Sequence, residues 1–415
     1  MKNVLILCDA FPPAFNPRMG YLCKYLANFG WKPVIITEYS PQNIYENLAE
    51  NQDVTYINYY WAKNKVWQSL KYTFVFLSEL FFNYKSLILE REAMKKIKQH
   101  DISLVLSSSS CRTYSALTAY KVGRICRIPF VMDLRDIVEQ FPGDEHISKK
   151  PFHAKLNRFL SAIITKRFLR QRNKILRNAG VVTTVSDWHT KTLSKYNKKV
   201  QLIYNGFSSD LFYPQIIINK QFIVSYAGRV ESQAIKDPSL FFEAVARLFA
   251  EKKINTNIFR IQFYLINDLS KEIVYSLAKK HEILDFIDIF DTVPSTEIPK
   301  ILNSSSVLLL LANKSTNEKS PKGIMGTKIF EYLAVEKPIL CVRNDEACLE
   351  ETINNAHAGL AASTVEETEK FLLEKYTEWQ QNGYTCQPVN REFIRQFSRE
   401  HQAEQFTELF NSLCN

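Results

Sequence analysis

Glycine is scarce in this chain, 11 among 415 residues, and proline is little commoner at 15. With 46% hydrophobic residues, these figures exclude a collagen-like repeat and a disordered chain. The eight cysteines (Cys8, Cys23, Cys111, Cys126, Cys341, Cys348, Cys386 and Cys414) include no CxxC pair. A disulfide scaffold and a zinc site at the usual ligand spacing are therefore not expected. No uncharged apolar run is long enough to span a bilayer. The apolar start, residues 1–11, is too short for a signal peptide and lacks a small-residue cleavage site. Short-period repeats and low-complexity tracts are also missing. The expectation is a cytoplasmic protein with reduced thiols, long enough for two or three domains.

What is present begins with uneven charge. Residues 1–200 hold 31 Lys+Arg and 15 Asp+Glu, net +16, and residues 201–415 hold 22 and 28, net −6. A basic half joined to a mildly acidic half suggests two domains with different partners. Much of the excess lies in residues 149–177, with ten Lys and Arg and no acid. From Leu156 onward its apolar residues recur at three and four, as on one helix face. The stretch reads either as a surface helix with a solvated basic face or as a basic amphipathic element on an anionic bilayer or acceptor. Aliphatics interleaved at helical spacing, with no recognised nucleic-acid motif, argue against a nucleic-acid partner. Residues 56–89, rich in aromatics and Lys, fit no simple scheme.

Strands and helices alternate along the rest. Residues 3–8 (NVLILC) form a continuous apolar run, the mark of a parallel strand covered on both faces. A helix over 19–29, ended by Gly30, and a strand at 32–37 complete a βαβ unit. Strands at 103–107, 129–133, 181–186 and 201–204 follow. A second series runs from 222–227 through 262–266, 287–290 and 307–311 to 338–342, with helices at 238–251, 295–302 and 328–334. The chain ends in helices near 366–381 and 391–413. Two α/β series joined around 205–214 predict two Rossmann-like domains facing across a cleft.

The most specific signals lie in the second series. A strand runs into Ala227-Gly228-Arg229, with Lys236 shortly after, and Gly326-Thr327-Lys328 opens the stretch GTKIFEYLAVEKPIL. A Gly at a helix start lets backbone N–H groups approach a diphosphate, Glu331 can accept from ribose hydroxyls, and Arg229 and Lys328 can offset phosphate charge. Each has a plainer reading as a surface residue.

Together with the DAFPP opening at 9–13, Val185-Ser186 with Trp188, and IYNGF at 203–207, these motifs resemble the GT-B glycosyltransferases of family 4, of the bacterial surface-glycan type. The resemblance covers nearly the whole chain. It implies a GT-B fold with an acceptor domain over 1–205, a nucleotide-sugar domain over 206–390, and a final helix over 391–415 returning to the first. It also implies a retaining hexosyl transfer from a UDP- or GDP-sugar to a glycan or lipid-linked acceptor in polysaccharide biosynthesis, with no metal or other cofactor. The absence of any DxD agrees with that. Arg229 and Lys236 correspond to the family's phosphate-binding pair, although Lys236 follows an insertion-like stretch. Gly326 and Thr327 correspond to its phosphate-binding amides, beside Lys328, and Glu331 to its ribose ligand. The family's earlier Glu, eight residues before, is Gly323 here.

In the first half the family's His after the strand at 129–133 is replaced by Asp133-Leu134-Arg135-Asp136. A carboxylate at that strand end, Asp133 or Asp136, can orient the acceptor hydroxyl or take its proton. Arg135 can bind phosphate or pair with either acid. Arg18 either binds an acceptor phosphate or sits in solvent, and Gly20 is placed for close approach of substrate. His189 reads as a polar residue at a helix start rather than a base. The alternatives to a transferase are a nucleotide-sugar epimerase of the same fold and a non-catalytic basic protein on the inner face of the cell membrane.

Overall fold

The computed structural model describes residues 1–110, 113–140, 154–230, 236–312, 323–342 and 347–414. Cys111, the start of the basic run at 149–153 and the insertion-like stretch 232–235 lie outside them. The chain divides into two units, 1–205 with 399–415, and 206–398.

In the first unit the apolar run becomes β1 (Lys2–Cys8), buried on both faces. Val4, Ile6 and Cys8 enter one core, while Leu5 and Leu7 enter the core on the other side. Side chains alternate across a pleated strand, so a run apolar at every position fits a sheet covered twice. The other strands are β2 (Trp31–Glu38), β3 (Asp53–Ile57), β4 (Ile102–Ser109), β5 (Phe130–Leu134), β6 (Val181–Thr184) and β7 (Val200–Leu202). All pair in parallel, in the order β3-β2-β1-β4-β5-β6-β7. The helices are α1 (Pro17–Leu26), α2 (Lys65–Phe82), α3 (Tyr84–Gln99), α4 (Tyr114–Cys126), α5 (Ala154–Leu176) and α6 (Asp187–Leu193). Asn16 caps α1, its side chain accepting from the Met19 N–H, and Pro17 takes the first helical position. A 3₁₀ turn follows α1, and Gly30 ends it in the left-handed region, φ 81°.

The second unit repeats the plan. Strands β8 (Phe222–Gly228), β9 (Phe259–Leu265), β10 (Ile287–Phe290), β11 (Val307–Leu311), β12 (Ile339–Val342) and β13 (Gly359–Ala362) lie in the order β10-β9-β8-β11-β12-β13, again all parallel. Its helices are α7 (Ser239–Ala250), α8 (Asp268–Lys280), α9 (Ile298–Ser304), α10 (Lys328–Ala334), α11 (Ala347–Asn355), α12 (Val365–Asn382) and α13 (Arg391–Arg395). The single helix expected over 391–413 is broken at 396–398. Its second part, α14 (Arg399–Cys414), sends Phe406 and Phe410 into the core behind β1 of the first unit.

Two elements escape hydrophobic-run reading. Strand β3, at a sheet edge, is only half-buried, and Gly359 opens β13 with φ 148°, where side chains are strained. A Cβ at Gly359 would lie 2.0 Å from the Ile339 carbonyl oxygen, its partner in the ladder. Gly359→Ala is expected to cost about 2 kcal/mol, read as a lower denaturation midpoint against wild type.

Seven of the eight cysteines fall within the described residues, and all seven are free thiols. Burial pushes the Cys8 and Cys341 thiols up to about 12, so both stay protonated and unreactive.

Candidate active site

In each sheet the strand order reverses once, between β1 and β4 and between β8 and β11, and open α/β sheets bind ligands at the carboxyl ends of such strands. In the first unit Asp9 follows β1, Ser110 follows β4, and Arg135 and Asp136 follow β5. The structure brings these groups together. Ser110 donates to the Asp9 carboxylate from its hydroxyl (2.9 Å) and its N–H (3.3 Å). The Arg135 guanidinium donates to Asp9 (3.2 Å) and to Asn16 (3.1 Å). Asp136 is half-buried beside them. Burial raises its pKa, Arg135 opposes the rise and Asp9 adds to it. A carboxylate with raised proton affinity at a strand end suits proton transfer.

Asp133 does something else. It is fully buried and accepts four hydrogen bonds: from Arg18 Nη2 (2.8 Å), Arg18 Nε (3.1 Å), Ser108 (2.9 Å) and Thr183 (2.8 Å). Burial alone would raise its pKa, but the charge and hydrogen bonds of Arg18, with Thr183 and Ser108, hold it below the ordinary carboxylate value. The expectation of a proton-accepting Asp133 is thereby corrected, because its lone pairs are already occupied in the interior. Arg18, 2% exposed, is neither in solvent nor offered to an acceptor phosphate. Its remaining donor reaches the Tyr204 carbonyl (2.9 Å), and the guanidinium lies over the Phe406 ring. Gly20 is corrected too: a Cβ there would meet Pro12 at 2.7 Å and Leu48 at 3.0 Å, so its smallness serves packing of the chain on itself. Arg135 takes Asp9 and Asn16 as hydrogen-bond partners, the Asp133 carboxylate being held by Arg18. His189 sits in the first turn of α6, its N–H capped by Ser186. Burial drives its ring down to about 4, which keeps it neutral.

In the second unit Gly228 ends β8 with φ 148°, and the Lys328 ammonium occupies the space that a side chain would need, 1.6 Å from an ideal Cβ. Lys328 Nζ stands 4.6 Å from the Tyr226 ring centroid and 3.4 Å from its hydroxyl, which itself donates to the Arg229 carbonyl. Tyr226 thus links the Lys328 ammonium, from α10, to the main chain of exposed Arg229 just past β8, about a hundred positions away in the sequence. Glu331 lies half-buried in the first turn of α10. Thr327 precedes that helix, and a Cβ at exposed Gly326 would meet nothing within 4 Å. Lys236 is half-buried in the left-handed region, φ 60°, directly after the undescribed 231–235. Gly323, where the resemblance has Glu, has φ 66°, a conformation that a side chain strains, so backbone geometry accompanies that departure.

Sequence reasoning gave no role to Asp9, Asn16, Ser110 or Tyr226. Their signal was positional: Asp9 and Ser110 are the first residues past the two strands that flank the order reversal. Among the described residues no three His, Cys, Asp or Glu side chains group to hold a metal ion, and no helix is long and apolar enough to cross a membrane.

No protein-family model matches the chain, and no curated protein matches it by sequence. Solved structures do. Sucrose-phosphate synthase from Thermosynechococcus elongatus is similar over 100% of this chain and 99% of its own, with TM-score 0.59 and 14% identity. Anabaena HepE in complex with UDP is similar over 100% of both chains, with TM-score 0.56 and 12% identity. The lipopolysaccharide outer core galactosyltransferase WaaB, in its apo form, is similar over 99% of each chain, with TM-score 0.59 and 12% identity. At such identities the likeness is one of fold, and the fold, two all-parallel sheets with helices on both faces, is the GT-B fold.

Proposed function

We propose that this chain is a retaining, family 4 glycosyltransferase that moves a hexosyl group from a UDP- or GDP-sugar to a hydroxyl of a glycan or lipid-linked acceptor in polysaccharide biosynthesis. The observation that carries the reading is the Lys328–Tyr226–Arg229 cluster at the carboxyl end of β8, where the sheet order reverses. HepE, similar in fold, was solved with UDP and with UDP-glucose. Two cations there stabilise charge that grows on the diphosphate as its bond to the sugar breaks. Lys328 is held for this by the Tyr226 ring, and Gly228 supplies the room. Gly326 and Thr327 offer backbone N–H groups, Lys236 a further cation, and Glu331 a carboxylate for the ribose. On the acceptor side Asp136 takes the hydroxyl proton, and Arg135, held by Asp9 and Asn16, fixes the local field. No metal is required in this scheme. The chain would act on the cytoplasmic face of a membrane, with the exposed cations of α5 towards anionic lipid.

A thermal-shift panel of nucleoside diphosphates and nucleotide-sugars tests the reading, since a ligand that binds only the folded state raises its melting temperature. At least one UDP or GDP compound is expected to stabilise the protein. Lys328→Met is expected to weaken that ligand by about tenfold or more, the size of one charge-assisted hydrogen bond. A panel without a single shift defeats the proposal. Product analysis separates a transferase from an epimerase, which would release an isomerised donor without any acceptor.

A further inference from the structure

Helix α2 turns one face inward and leaves the opposite face without cover. Tyr72, Val75, Phe76 and Glu79 line a half-open cavity of about 420 Å³, shared with α5. On the far side Trp67, Leu70, Phe74, Leu77 and Phe81 are between 47% and 63% exposed. Both ends of the helix are fixed. The Asn64 side chain accepts from the Val66 and Trp67 N–H groups, and Asn83 closes the helix in the left-handed region, φ 51°. Phe74 also packs T-shaped on the Tyr84 ring, with centroids 5.8 Å apart.

The spacing of the outer residues selects what fits them. They stand three, four, three and four positions apart. At about 100° per residue they fall within a sector of about 80°. A core or a bilayer takes a broader apolar face, whereas a stripe at strict three and four spacing is the seam along which one helix packs on another. Charge agrees with that. Beside the seam stand Val66 and Thr73 on one edge, Lys71 and Ser78 on the other. Lys71 is the only charge among them. Lys65 falls on the cavity side, and Glu79 faces the cavity, where it accepts from the Lys85 N–H at 2.7 Å. An element lying in an anionic bilayer carries many cations on its polar face, and this one has a single Lys at the edge. A nearly uncharged seam suits a partner that is itself nearly uncharged.

We infer that α2 packs on α2 of a second copy of this chain, antiparallel, across a two-fold axis near Phe74. The antiparallel sense opposes the helix dipoles and brings Lys71 of each copy near Ser78 of the other, away from its own counterpart. It sets Trp67 of one copy near Phe81 of the other, with the two Phe74 rings at the axis. The area suffices. At these exposures the three rings, the two leucines and Val66 offer roughly 600 Å² per copy. A pair then buries about 1,200 Å², the lower bound for a specific stable interface. Because the same patch serves both copies, the contact closes as a dimer and does not propagate into fibres. The pairing is independent of the transferase reading.

Sedimentation equilibrium of the full chain at roughly 50 μM is the test, since interfaces near this size reach micromolar affinity or better. Wild type is expected at twice 48.3 kDa. Leu70→Glu/Leu77→Glu sets four acids into the seam of a pair and is expected to weaken it at least about tenfold. Phe74→Ser, which removes the central rings without a charge, serves if the acidic variant loses its circular dichroism. Ser69→Glu, exposed on the same helix but off the seam, is expected to leave the dimer intact. Orientation is read by oxidation with copper phenanthroline, which takes two protons and two electrons from a pair of thiols. Phe74→Cys is expected to form a disulfide-linked dimer above the wild-type level, and Trp67→Cys is not. A monomeric wild type overturns the inference, and so does a dimer that the folded seam variants leave unchanged. A monomer that sediments with lipid vesicles, and loses them in Leu70→Glu/Leu77→Glu, gives the stripe to a bilayer and overturns it as well. Crosslinking through Trp67→Cys but not Phe74→Cys overturns the antiparallel arrangement.

Discussion

Asp136→Asn is expected to lower the rate of sugar transfer by about 10²–10⁴ while nucleotide affinity stays within twofold of wild type. The two effects separate because Asp136 belongs to the first unit and the cations proposed for the diphosphate to the second. The variant keeps size and hydrogen-bonding capacity but cannot take a proton. The pH dependence gives an independent readout. Burial raises the Asp136 pKa, with Asp9 adding to the rise against Arg135. A base must be ionised to act, so kcat/KM falls as pH drops through that raised value. The acid limb of the profile therefore lies above the ordinary carboxylate value of 3.8. In Asp136→Asn this limb should vanish along with the rate. A rate close to wild type, with donor binding intact, removes Asp136 from the mechanism.

Breaking the buried pair beneath it is expected to act on stability. Asp133→Leu or Arg18→Met alone should cost about 3–5 kcal/mol, because each leaves an uncompensated charge in the interior. The double variant Arg18→Met/Asp133→Leu should recover much of that loss, since neither charge then remains, and a double-mutant cycle from urea midpoints measures the difference. Acid adds a check on the sign. The folded-state pKa of Asp133 is lowered, so its contribution is complete above the unfolded value and is lost as pH falls through the folded one. Wild type should thus lose stability on the acid side more steeply than Asp133→Leu. Single variants as stable as wild type would contradict the buried network.

The two neighbouring aspartates of DLRD show where sequence reading stops. Both stand at the end of β5, and strand periodicity alone treats both as candidates. Asp133 is the last residue but one of the strand, directed inward to meet Arg18, 115 positions away, with Ser108 and Thr183 from the flanking strands. Asp136 lies past the strand and stays half-exposed. The basic run likewise divides by what packs against it. Arg172, Ile175 and Leu176 pack inward at the end of α5, whereas Arg158, Lys166 and Arg170 are exposed earlier on the same helix. A stripe at helical spacing identifies a face, but what covers that face depends on the neighbouring elements.

The sequence by itself determined the fold class. Runs such as NVLILC and VLLLL are apolar at every position, and only strands covered on both faces tolerate that. Repeated twice with helices between, they required two parallel α/β sheets. It also determined the placement of Lys328 and Glu331 at the opening of α10, because GTKIFEYLA carries local helix information. Tertiary structure alone decided which polar groups meet. Arg18 with Asp133, Arg135 with Asp9, and Lys328 with Tyr226 are pairs between distant elements, set by strand order. The two-sided exposure of α2 belongs to the same class, since an aromatic-rich helix reads alike whether it is buried in a core or left facing outward. Local spacing carries secondary structure, and the long-range pairing of charges is written only in the topology that brings strand ends together.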